Sequence, residues 1–112
     1  WRLSWMTHAE SFWETPLRMR YANLDPSARY RVRVLYAGDI FSMDTQIRLV
    51  ANDTHEVHPP MRKPSPLSPV EFDVPAAATR GGTLTLTFSG PGGVGGAGRG
   101  VQVAEVWLVR KD

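Results

Sequence analysis

The chain of 112 residues lacks cysteine, which excludes a disulfide framework and a zinc site built from thiolates. It also lacks long apolar runs, and none approaches the roughly 20 residues that a membrane-spanning helix needs. The sequence begins at Trp1 with neither an initiator methionine nor a signal peptide, so we expect it to be a piece of a longer protein.

The signatures of common enzyme classes are missing as well. There is no Gly-Lys-Ser/Thr, no GxSxG and no HExxH, and no spacing singles out a pair among the carboxylates. Seven of the ten glycines lie between Gly90 and Gly100 and satisfy a GxGxxG spacing twice. A dinucleotide site needs a helix after these glycines, whereas an apolar, β-branched run follows here. We therefore interpret the segment as a long hairpin loop and predict a protein that is not an enzyme.

The charge pattern does not favour nucleic acid as a partner. The formal net charge is only +2, and basic residues alternate with apolar ones, as in Arg18/Arg20 and Arg31/Arg33. Such alternation places the cations on a solvated sheet face, where a few arginines remain available for an acidic sugar.

What is present points to an all-β fold. Apolar residues make up 42% and aromatics 10% of the chain, which fits one folded domain over residues 1–112. Period-two alternation predicts strands with one buried face, and clusters of turn residues separate them. The predicted strands cover residues 1–6, 17–21, 30–37, 45–51, 70–74 and 83–89, a strand that starts at His55, and a final strand after the glycines.

Turn signals refine this pattern. Asn52-Asp53 marks a hairpin, the prolines between 59 and 69 mark an edge strand or surface crossing, and residues 75–82 form a turn or one helical turn. The sequence therefore predicts a jelly-roll β-sandwich of about eight antiparallel strands.

A local pattern near the carboxyl end carries a family resemblance. An alanine-rich turn, the run TLTLTFS, the glycine loop and the closing VAEVWLVR follow one another, with Glu105 ahead of Val106 and Leu108. The chain resembles the galactose-binding-like β-sandwich modules, often carbohydrate-binding modules, that are accessory domains of bacterial polysaccharide-degrading enzymes. This resemblance implies sugar binding without catalysis, a covalently attached catalytic domain and an extracellular or periplasmic location. It also implies a structural calcium ion, for which Glu105 is the candidate ligand, because a carboxylate in an otherwise apolar strand should be paired or bound to a cation.

A sugar site needs an aromatic platform for the pyranose ring and polar groups for its hydroxyls. Each aromatic residue has the core as its alternative location. Trp13 has the most polar surroundings, and Trp107 faces outward if Val106 and Leu108 face inward. The candidate platform residues are Trp5, Trp13, Tyr36, Phe41 and Trp107, and the candidate polar contacts are His58, Arg62, Arg99 and Gln102.

Two other functions stay open. The domain could be a structural module that packs against a catalytic domain. Alternatively, His8, His55 and His58 could hold a transition metal in a small oxidative enzyme. Residues three apart on a strand point to opposite faces, so His55 and His58 would share one ion only if the backbone bends near Pro59.

Overall fold

The structure, a computed structural model, describes residues 9–12, 16–37, 46–64, 66–90 and 99–111. The side chains of residues 9–12 and 99–102 lie outside this description. Within these ranges the chain forms eight strands and one helical turn. They are β1 (Ala9–Phe12), β2 (Leu17–Tyr21), β3 (Arg29–Tyr36), β4 (Gln46–Ala51), β5 (His55–Arg62), β6 (Val70–Asp73), α1 (Ala76–Thr79), β7 (Leu84–Ser89) and β8 (Arg99–Lys111).

The strands form two four-stranded antiparallel sheets. The first sheet has the order β1-β8-β3-β6, and the second sheet has the order β2-β7-β4-β5. The first half of the chain pairs with the second half in reverse, so that β1 meets β8, β2 meets β7, β3 meets β6 and β4 meets β5. This nested pairing defines a jelly roll, and it confirms the predicted sandwich.

The core lies between the sheets and follows the predicted alternation. Along β3, every second residue is buried while its neighbours are half-buried or exposed. β4 and β7 contribute in the same way from the second sheet, because side chains on a strand alternate between its two faces. The buried residues of these three strands include Tyr30, Val32, Val34, Tyr36, Ile47, Leu49, Leu84, Leu86 and Phe88.

The β4–β5 hairpin is confirmed where Asn52-Asp53 predicted it. Both residues adopt positive φ angles, 50° and 60°, which asparagine and aspartate tolerate better than other non-glycine residues. The Asn52 side chain also ties the hairpin to its neighbours: Oδ1 accepts a bond from the Thr85 amide at 2.8 Å, and Nδ2 donates to the carbonyls of Ala78 and Thr83.

The proline-rich segment is an edge, as predicted. Pro59 and Pro60 belong to β5, which is the outermost strand of the second sheet. A proline lacks the amide donor of a sheet ladder, and an edge strand has one side where that donor is not needed.

The two ends of the predicted strand pattern differ from the structure or lie outside the described residues. The glycine segment does not close a hairpin, because β7 and β8 belong to different sheets. Residues 9–12, which had no predicted strand, form β1 against β8. The predicted strand of residues 1–6 lies outside the described residues.

Candidate functional site

The outer face of the first sheet carries the two most exposed large apolar side chains of the described residues. Trp107 is 40% exposed and Val109 is 43% exposed, and both belong to β8. Their neighbours Val106 and Leu108 pack against the core, which confirms the condition under which Trp107 was predicted to face outward. We call this surface the outer face; it consists of Glu105, Trp107, Val109 and Lys111 of β8, Arg29, Arg31, Arg33 and Leu35 of β3, and Glu71 and Asp73 of β6.

An arginine lies against the exposed tryptophan. Arg33 stands opposite Trp107 in the β3–β8 ladder, and its guanidinium carbon lies 5.3 Å from the centroid of the indole ring. This distance corresponds to a cation–π contact, which holds the guanidinium next to the ring. The outer face therefore presents an aromatic surface and a cationic hydrogen-bond donor side by side.

Four other charges of the outer face, those of Arg31, Lys111, Glu71 and Asp73, neutralise one another. Arg31 lies 3.7 Å from Glu71 and 3.6 Å from Asp73, and Lys111 donates to Asp73 at 3.0 Å. The hydrogen bond from Lys111, reinforced by its charge and by Arg31, holds the pKa of Asp73 below its usual value. Arg33, in contrast, makes no ion pair with any residue that the structure describes, although Glu71 lies opposite it on β6.

Tyr36 and His58 were predicted at the sugar surface, and the structure corrects this. They are 1% and 3% exposed, and they join the two sheets from inside. The Tyr36 hydroxyl lies 2.6 Å from Nε2 of His58, while Nδ1 donates to the carbonyl of Pro59 at 2.8 Å. Burial lowers the pKa of His58, which keeps the ring neutral. With both nitrogens engaged inside the core, His58 has no nitrogen left for a sugar or a metal.

The histidines do not form a metal site in the described part of the chain. His55 is half-buried and bonds to the Thr54 hydroxyl at 2.8 Å, away from the core position of His58. Among the described residues, no group of three or more histidines, aspartates and glutamates lies close enough to hold a metal ion. His8, the third histidine of the hypothesis, lies outside the described residues.

Glu105 also differs from expectation. It was expected to be paired because its strand looked apolar, but it faces solvent on the outer face and has no partner among the described residues. Water satisfies an exposed carboxylate, so neither an ion pair nor calcium is required there.

The remaining predicted site residues divide into two groups. Arg62 is exposed on β5 and thus belongs to the second sheet, not to the sheet that carries Trp107. Arg99 and Gln102 lie on β8, but their side chains lie outside the description. Trp5, Trp13 and Phe41 lie outside the described residues altogether.

Sequence reasoning missed Arg33 and Val109 as members of the surface. The signal for Arg33 was its alternation with Val32 and Val34, which indicated only a solvated position. Its contact with Trp107 depends on the β3–β8 register, which joins residues more than 70 positions apart in the chain. A single sequence does not contain that pairing.

Comparison of the chain with protein-family models, with curated proteins and with solved structures gives no match. The resemblance to galactose-binding-like modules therefore stays a prediction. Within the described ranges, no helix has the length and apolar character required to cross a membrane.

Proposed function

We propose that this protein is a non-catalytic carbohydrate-binding module that keeps an attached enzyme close to a polysaccharide. The single observation that carries the proposal is the exposed indole of Trp107 on the outer face of the first sheet. A tryptophan in this position is costly to leave in water, and a pyranose ring offers an apolar C–H face of matching shape.

Polar groups around the indole can form the hydrogen bonds that sugar hydroxyls need in addition to an aromatic platform. Arg33 on one side and Glu105 two residues earlier on β8 provide donors and acceptors for hydroxyl groups. The strands of this face are paired by backbone hydrogen bonds, so we expect binding to require little reorganisation and, on an open sheet surface, to bury little area. We expect dissociation constants between about 1 mM and about 1 μM. Such weak sites raise the effective concentration of an attached enzyme at a polymer.

The proposal is tested by titrating the protein calorimetrically with soluble glucan, xylan, galactan and polygalacturonate. At least one polymer should bind, and Trp107→Ala should weaken that binding by at least about tenfold, since aromatic contacts dominate such surfaces. Leu67→Ala is the matched control, because Leu67 is an exposed apolar residue outside the outer face. The proposal would be contradicted if no polymer bound, or if Trp107→Ala bound the polymer as tightly as the parent protein.

A second candidate function is supported by Val109. Together with Trp107 and the half-buried Leu35, it makes the outer face more apolar than sugar contact alone requires. A structural module could pack this strip against its own catalytic domain. That function predicts indifference to all glycans and a loss of solubility that Val109→Ser and Trp107→Ser reverse.

A further inference from the structure

We propose that the outer face recognises a polysaccharide whose sugars carry carboxylates, with Arg33 reading the carboxylate beside the Trp107 platform. This inference rests on the proposed function, since it names the class of glycan that the same surface takes. It is carried by a guanidinium that has no ion-pair partner among the described residues and lies next to an exposed ring.

The first step concerns the hydrogen-bond donors of the Arg33 guanidinium. Its guanidinium carries five N–H donors in a fixed plane and accepts nothing. The contact with Trp107 brings the guanidinium carbon to 5.3 Å from the ring centroid and uses none of the N–H donors in a hydrogen bond to a described residue. No described residue takes them, and the side chain is exposed. A carboxylate matches this edge, because its two oxygens accept two parallel N–H bonds from arginine.

The second step separates Arg33 from the two paired cations of the outer face. Arg31 and Lys111 are already compensated by Glu71 and Asp73. An incoming carboxylate would have to compete with those pairs. Arg33 offers charge without such competition.

The third step gives the ligand a direction. Glu105 lies two residues from Trp107 on the same strand face and repels a carboxylate placed at that end. At the opposite end lies Arg29, which makes no ion pair with the described residues and lines a cavity of about 150 Å³ together with Lys111 and with Asp73, whose charge Lys111 and Arg31 compensate. The negative groups of the ligand should therefore point from Trp107 toward Arg29.

The fourth step concerns the length of the ligand. Arg29 and Arg33 are four residues apart on one strand, which places their Cα atoms about 13 Å apart. A single acidic sugar reaches only one of them, whereas a chain with repeated carboxylates reaches both. Affinity should consequently rise with chain length until both arginines are engaged.

The test compares polygalacturonate with its carboxyl-reduced form, which has the same backbone without the charge. The acidic polymer should bind about tenfold more tightly or better, and its affinity should fall as sodium chloride rises from about 0.05 M to about 0.5 M. Arg33→Gln should remove most of the preference for the acidic polymer, leaving only the share that Arg29 contributes, while retaining the binding of the reduced polymer. Glu105→Gln, the variant of opposite sign, should strengthen binding of the acidic polymer about two- to fivefold. Thermal melts confirm that these surface variants remain folded.

Each outcome is distinct. If the reduced polymer binds as well as the acidic one, or if Arg33→Gln keeps the preference, the inference fails while the proposed function stands. If a sulfated polymer of the same backbone binds as tightly as the uronate, the site recognises negative charge and not the carboxylate group. The carboxylate assignment is then overturned. If neither the acidic nor the reduced polymer binds and the neutral glucan, xylan and galactan also fail, the proposed function fails with it.

Discussion

The hydroxyl of Tyr36 donates a hydrogen bond to Nε2 of His58 across the interior of the sandwich, at 2.6 Å. The direction of this bond follows from the other ring nitrogen, because Nδ1 faces the carbonyl of Pro59 and must carry the proton. The imidazole also lies against Phe72, with ring centroids 4.5 Å apart. A neutral histidine thus links β5 of the second sheet to β3 and β6 of the first.

This link predicts that the protein loses stability in mild acid. Burial lowers the pKa of His58 in the folded state, while the backbone bond to Pro59 and the charge of Glu56 oppose that shift. The unfolded chain therefore binds more protons once the pH falls below about 6.5, the ordinary histidine value. The free energy of unfolding should be constant above about pH 7.5, should fall as the pH drops through about 6.5, and should level off below the folded pKa.

Urea unfolding followed by circular dichroism between about pH 8 and about pH 5 measures this. His55→Gln is the control: His55 is half-buried at the hairpin, so this variant should keep the fall in stability. His58→Gln should no longer show the fall in stability between about pH 7.5 and the folded pKa of His58. A parent protein whose stability rises as the solution becomes more acidic would contradict the assignment of a neutral, buried His58.

Asn52 should contribute to stability in two separable ways. Its side chain bonds to β7 and to the end of α1, and its backbone adopts a positive φ. Asn52→Ala removes the side-chain hydrogen bonds and also strains the backbone at positive φ, so it should lower the unfolding free energy by about 2–4 kcal/mol. Asn52→Gly removes only the hydrogen bonds, because glycine adopts positive φ easily, and should lower it by about 1–3 kcal/mol. The comparison is made by urea denaturation at neutral pH. Equal stability of the two variants would show that the backbone conformation contributes nothing.

Thr87 marks a position where a polar group reduces stability. It lies on the second sheet between Arg18 and Val50, it is buried, and its hydroxyl has no hydrogen-bond partner among the described residues. A buried hydroxyl without a partner is costly, so Thr87→Val should raise the unfolding free energy by about 1 kcal/mol. Thr85→Val, at a half-exposed position of the same strand, should change it by less than about 0.5 kcal/mol. A destabilised Thr87→Val protein would mean that the hydroxyl is satisfied in solution.

The fold was largely predictable because its main signals are local. Alternation along β2, β3, β4 and β7 depends only on the two-residue period of a strand, and Asn52-Asp53 carries its own turn chemistry. β1 was missed because it is four residues long and polar, so it has little alternation to detect. The hairpin assigned to the glycines was wrong because the partner of β8 is determined by the nested pairing of the whole chain.

The candidate site was less predictable because it depends on contacts between distant residues. The alternation of its strand predicted an outward Trp107 only on the condition that Val106 and Leu108 face inward, and the structure meets that condition. His58 was placed at the surface because histidine beside proline resembles a loop, whereas a bulge in the β4–β5 ladder turns it into the core. Glu105 was expected to be paired because burial was judged from nearby apolar residues such as Val106 and Leu108, which face the core on the opposite side of the strand.

The most direct test of the central claim is an NMR titration that locates the bound sugar. Isotope-labelled protein is mixed with oligosaccharides of galacturonic acid and, separately, of glucose, and Trp107→Phe assigns the indole Nε1–H signal among those of the four tryptophans. Sugar binding at the outer face predicts that this signal and the amides of β8 and β3 shift most as either ligand is added. Shifts confined to the second sheet, or an unmoved Trp107 indole at saturation with both ligands, would contradict the account.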